Sequence, residues 1–162
     1  MFDPRTLGSA AACNEPDKNT VTTQKSVPYA TEENPYFGIS VPLMSYLGLV
    51  PEHIEDGYAR ARLPMAPGLT NSRGDVHGGT LMSVLDFLMS AAARGHDPLN
   101  VGIATIEMST HFLDVARGEL IFEARTLKRG RSTAFCEGKA LDSAGIEVCV
   151  SRGTFRLIQR NK

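Results

Sequence analysis

The stretch TLMSVLDFLMSAAAR, residues 80–94, decides the fold. Leu81, Val84, Leu85, Leu88 and Ala92 recur at helical spacing, which predicts a helix here. Gly95 is a good stop, and Arg94 stands at the negative pole of the helix dipole. Almost the whole circumference is apolar, and Asp86 is its only acid. A helix of this kind is wrapped by other structure rather than laid on a surface. A single carboxylate in that setting is costly unless it has a partner or a task.

Four strand-like segments follow the helix, at roughly 101–114, 118–128, 132–142 and 146–158. Gly118, the Arg129-Gly130-Arg131 turn and Ser143-Ala144-Gly145 separate them. Ala104, Ile106, Met108 and Phe112 are expected to share one face of the first. On the other side of the helix, residues 66–79, APGLTNSRGDVHGG, are rich in breakers and read as a loop. Residues 57–65, GYARARLPM, alternate like a half-buried strand, and residues 36–49 hold a short helix beginning near Pro42 and ending at Gly48. The order of elements predicts an α+β domain in which an antiparallel sheet curls around a central helix. One sheet from so short a chain covers only one side of that helix. A second subunit is therefore expected on the other side, in a homodimer or a higher assembly.

With 162 residues, 42% apolar and 22% charged, the chain makes one globular domain. A collagen-like, disulfide-built or mostly disordered chain is excluded. Residues 1–34 are poor in large apolar side chains (Phe2, Leu7, Val21 and Val27) and read as an N-terminal arm or tail, leaving residues 35–162 as the domain. Cys13, Cys136 and Cys149 fit neither a disulfide framework nor a zinc site. The first twenty residues lack the pattern of a secretion signal, and no apolar run is long enough to span a membrane. The expected compartment is the cytoplasm. A net charge of -1 makes no case for nucleic acid, whereas ten bases against five acids from Arg117 onward suit a small anionic ligand.

The chemistry concentrates in Asn71-Ser72-Arg73-Gly74-Asp75-Val76-His77-Gly78-Gly79 and in Asp86. Gly78 and Gly79 allow a ligand to approach the backbone at a helix start, where free N–H groups stabilise a developing oxyanion. Asn71 and His77 can donate or orient hydrogen bonds around the loop. Asp75 reads as a solvated turn or N-cap residue. Asp86 of one subunit, facing the glycine loop of another, could act as general base on water or as nucleophile. Met82, Phe87, Met89, Met108 and Phe112 are either core or the lining of an apolar pocket, and they suit an aryl or a medium aliphatic group.

The spacing Asn71-x-x-Gly74-x-x-His77-Gly78-Gly79 followed by Asp86 resembles the signature of the hotdog-fold thioesterases of the phenylacetate-pathway (PaaI-like) type. The likeness extends over about residues 36–158, including Gly145-Ile146-Glu147-Val148 through Gly153-Thr154-Phe155. It implies a long helix wrapped by five or six antiparallel strands, paired subunits (a homodimer or homotetramer) and active sites at the interface. It also implies hydrolysis of acyl-coenzyme A thioesters without metal or other cofactor. Carried over by position, Asp86 is the general base or nucleophile and the Gly78 N–H polarises the carbonyl. Asn71 holds the carbonyl or the water, His77 orients the loop or the substrate, and the Thr105 hydroxyl assists the carboxylate. Gly79, Arg129 and Arg131 are the expected substrate-binding residues, the arginines on the coenzyme's phosphates. The chain departs from its relatives where Asp114-Val115 follows Phe112-Leu113 in place of a basic residue and a proline. Two other readings belong to the same residues. One is a hydratase or dehydratase of acyl thioesters using His77 and Asp86 as an acid–base pair, and the other is a non-catalytic acyl-CoA-binding module.

Overall fold

The computed structural model describes residues 27–159. Its elements are α1 (Pro42–Leu47), β1 (Val50–Glu55), β2 (Tyr58–Leu63), α2 (Gly78–Arg94), β3 (Val101–Phe112), β4 (Leu120–Arg129), β5 (Thr133–Leu141) and β6 (Glu147–Gln159). The six strands form one antiparallel sheet in the order β1-β2-β4-β5-β6-β3. β3 follows α2 in the chain but lies at the far edge, beyond β6. The sheet therefore has to bend around α2, and its concave face supplies Ala61, Phe122, Ala134, Ala140 and Phe155 to a core shared with Val84, Leu85, Leu88 and Met89. Small residues let the sheet come close: a Cβ at Gly138 would stand 3.1 Å from Leu85 and 3.2 Å from Met89.

The main helix and the four strands after it lie where the sequence puts them, but only β4, β5 and β6 form a meander, because β3 pairs with β6 and β4 with β2. β1 has no counterpart in the sequence reading. Its residues, VPEHIE, bury only Ile54, so the alternation that marks a half-buried strand is absent. The shared face expected for Ala104, Ile106, Met108 and Phe112 is corrected. Ile106 is bulged out between Thr105, which pairs with Phe155, and Glu107, which pairs with Thr154. The extra residue shifts the side-chain alternation by one. Thr105, Met108, Thr110 and Phe112 consequently share the α2 side with Phe155, Gly153, Ser151 and Cys149, while Ala104 faces outward with Arg156.

The argument that α2 needs a second subunit to cover its far side is also corrected. Eleven of its seventeen residues are buried within one chain. The covering comes from residues 36–49: Phe37 stacks on Phe87 at 6.2 Å, Tyr36 meets the same ring edge-on at 5.8 Å, and Met44 and Leu47 are buried beside them. Arg94 is buried and donates to the carbonyls of Tyr36, Phe37 and Pro98, which fastens this segment to the helix end. The expected N-terminal arm lies outside the described residues as far as residue 26, and so does Cys13. Val27 packs against the core. Among the described residues, no helix is long and apolar enough to cross a membrane.

Candidate active site

The loop before α2 is built by its own backbone. Asn71 N–H donates to the Asp75 carbonyl (2.8 Å), His77 N–H to Leu69 (2.8 Å) and Val76 N–H to Ala116 (2.9 Å). Gly74 sits at φ +82, where a side chain would be strained. The Asn71 Oδ1 accepts from the N–H groups of Arg73 (2.8 Å) and Asp75 (3.3 Å), leaving the amide's two N–H bonds for other partners. Asp75 is not solvated, contrary to the sequence reading. It is buried and takes Arg73 Nε at 3.1 Å and Arg117 Nε at 2.8 Å. The Arg117 hydrogen bond, then that of Arg73, holds the Asp75 carboxyl below the ordinary carboxylate range against the opposing effect of burial.

His77 caps α2: its Nδ1 accepts from Gly79 N–H at 2.9 Å. That bond fixes the tautomer of the neutral ring, with the proton on Nε2. It also occupies the Gly79 N–H, so Gly79 offers space to a substrate rather than a donor. The Gly78 N–H is the donor left open at this end, with no acceptor among the described residues. Phe112 closes over it: a Cβ on Gly78 would stand 3.1 Å from that ring.

Two turns along α2, the Thr105 hydroxyl donates to Asp86 Oδ1 at 2.7 Å. The positions of α2 that remain wholly or partly open are Gly78, Gly79, Met82, Ser83, Asp86 and Ser90. They form one stripe along the helix. β3 meets this stripe at two points, Thr105 on Asp86 and Phe112 against Gly78. Of the proposed lining residues, Met82 and Phe112 are exposed and Met108 is half-buried. Phe87 and Met89 are core.

The structure does not bring Arg129 to this loop. Arg129 lies by the opposite end of α2, where Gly95 packs on the Glu55 carbonyl, and it donates to Asp56 at 2.8 Å. Arg131 is exposed on the same turn. Arg73 and Arg117 were not singled out from the sequence as ligands. Forty-two residues separate Arg117 from Asp75, and only the fold joins them. A groove of about 710 Å³ bordered by Tyr58, Arg125, Glu137, Lys139 and Arg152 is on the sheet face turned away from α2 and contains none of Gly78, Asp86 or Thr105. Among the described residues, no group of three or more His, Cys, Asp or Glu could hold a metal ion.

Residues 73–149, which carry the glycine loop, α2 and most of the meander, match the family model described as the thioesterase superfamily. A protein of Halobacterium salinarum named for a proposed esterase activity is 34% identical over 128 residues, covering 72% of this chain and 85% of the relative. The chain belongs to the thioesterase superfamily. A conserved protein from Pseudomonas aeruginosa superposes with a TM-score of 0.70 at 30% identity, over 74% of this chain and 95% of that one. The PaaI protein of the phenylacetic acid degradation operon of E. coli shares the fold at a TM-score of 0.69 and 18% identity, over 75% and 88%. The fold of this superfamily member is thus the hotdog fold, with α2 in the wrapped position.

Proposed function

We propose that this chain hydrolyses acyl-coenzyme A thioesters to the free acid and coenzyme A, in sites that two subunits assemble. The observation that carries the reading is the Asp86–Thr105 pair at 2.7 Å on the same open helix stripe as the unsatisfied Gly78 N–H. A thioester carbonyl accepts from Gly78 N–H. Asp86 takes a proton from a water molecule as its oxygen bonds to the carbonyl carbon. The oxyanion is stabilised at the helix N-terminus. Collapse breaks the C–S bond, and the thiolate leaves with the proton held by Asp86. With Asp86 as nucleophile its oxygen bonds to the carbonyl carbon, the C–S bond breaks with loss of the coenzyme A thiolate to leave an anhydride, and water then opens that anhydride to the free acid and Asp86.

Within one chain the two groups are widely spaced for a single thioester carbonyl, since eight residues of helix separate them, about 12 Å along the axis. Asp86 of one subunit facing Gly78 of another removes the difficulty. β3 supports such pairing: it ends the strand order, is twelve residues long, and is exposed from Ala104 to Glu107. The hydratase reading is disfavoured by His77, whose Nδ1 is held by its own helix.

The test is thiol release from short, medium, long and aromatic acyl-CoAs by wild type and Asp86→Asn. The variant is expected to keep fold and assembly and to lose at least about a hundredfold in kcat. Hydrolysis at the parental rate by Asp86→Asn overturns the mechanism. Tight acyl-CoA binding without turnover by wild type identifies a binding module, and hydration of an enoyl-CoA identifies a hydratase.

A further inference from the structure

We propose that Arg73 and Arg117, tied together by Asp75, form the seat for a phosphate of the coenzyme A moiety. The proposal rests on the thioesterase reading and names the residues that would select its substrate class. Asp75 is buried and takes each guanidinium at Nε. Neither arginine has a partner other than Asp75 among the described residues, and the two side chains are 73% and 75% exposed. One carboxylate against two exposed guanidiniums leaves a net positive charge, with N–H groups turned to solvent. That is the donor set of a site for a multiply charged phosphate, because planar guanidinium ends match phosphate oxygens.

The seat is rigid where a phosphate site must be. The two loops that carry the arginines are joined by Val76 N–H on the Ala116 carbonyl at 2.9 Å. It is also near the reacting group: Asp75 precedes Gly78 by three residues, at most about 11 Å of chain. Three other paired arginines are placed differently. Arg129 ends on Asp56 beside the other end of α2, and Arg125 and Arg152 share Glu137 on the outer face of the sheet. Asp114 turns back to accept from the Val115 N–H at 2.6 Å.

The test is titration calorimetry of the full chain with coenzyme A, dephospho-coenzyme A and pantetheine, for wild type, Arg73→Gln, Arg117→Gln and Arg152→Gln. Glutamine keeps an N–H for Asp75, so each single change leaves the buried carboxylate bonded. Arg73→Gln and Arg117→Gln are each expected to raise the Kd for coenzyme A about tenfold, the loss of one charge-assisted contact. The Kd for pantetheine moves by less than twofold, and Arg152→Gln, which removes an equal charge elsewhere, binds all three as wild type does. A contact to the 3′-phosphate leaves dephospho-coenzyme A insensitive to the changes, whereas a contact to the diphosphate weakens both nucleotides; either supports the seat. Equal weakening of coenzyme A and pantetheine, unchanged binding in Arg117→Gln, or a wild type that does not bind coenzyme A overturns it. These titrations need no turnover. A wild type that binds coenzyme A through the seat and cleaves no thioester overturns only the hydrolase reading.

Discussion

Thr105 donates to one oxygen of Asp86 and leaves Oδ2 without a partner among the described residues. A carboxylate anchored at one oxygen keeps its aim and has the other oxygen for a water molecule or a carbonyl carbon. Thr105→Val keeps the shape of the side chain and deletes the donor. A hydrogen bond to a charged group is worth about 1.5–3 kcal/mol, so kcat is expected to fall roughly 10- to 100-fold with KM little changed. Thr105→Ser should recover most of the loss, and steady-state kinetics on the best acyl-CoA check both. Asp86 was legible in sequence because a lone acid on an apolar helix is conspicuous, whereas Thr105 entered only through the family resemblance. Asp75 was not, because an aspartate beside Gly74 has the look of a turn residue and its strongest partner, Arg117, is remote in the chain. Its depressed carboxyl makes loop stability depend on pH. The contribution is complete above the unfolded-state value near 4 and is lost as pH falls through the lower folded-state value. Asp75→Asn should therefore flatten the fall of Tm between roughly pH 5 and pH 3 relative to wild type, as read by differential scanning calorimetry.

Between elements, the fold depends on how closely α2 approaches the strands around it. Gly95 ends α2 against β1 so tightly that a Cβ would stand 2.0 Å from the Glu55 carbonyl oxygen. Its φ of -57 is open to any residue, so space and not backbone conformation demands glycine here. Gly95→Ala must push β1 or the helix end away, a cost of about 1–3 kcal/mol in overpacked sites. Denaturant unfolding should show a lower midpoint at an unchanged slope. On β6, burial pushes the Cys149 thiol up to about 11, and on β5 burial raises Cys136 as well. Both are expected to react with a thiol reagent at pH 8 only as fast as the chain opens, which reagent-concentration-independent labelling would establish. Periodicity made α2 readable, and turn glycines delimited the meander. β1 was hidden by its charged composition, and the bulge at Ile106 by the fact that one extra residue leaves apolar content unchanged while it exchanges the faces of β3.

At the scale of the molecule, the two edges of the sheet differ. β1 is six residues long, carries Pro51 and a register shift, and presents Glu52, His53 and Glu55, features that discourage pairing with another chain. β3 is twice that length and carries Thr105 and Phe112, which meet Asp86 and Gly78 of α2. Pairing of two β3 edges would place two such sites side by side, with the acid of each chain near the helix start of the other. This arrangement has a consequence that a site within one chain does not share. Asp86→Asn and Gly78→Val, each expected to be inactive alone, the second because its side chain fills the space before Phe112, are co-refolded in equal amounts. If each site draws its acid from one subunit and its glycine from the other, half of the dimers are mixed, and each mixed dimer holds one intact and one doubly altered site. About a quarter of wild-type activity should then return. If both residues serve the same site from one chain, every site carries a lesion and the mixture stays as inactive as its components. Thiol release by the mixture, with sedimentation to establish that dimers formed, separates the two arrangements.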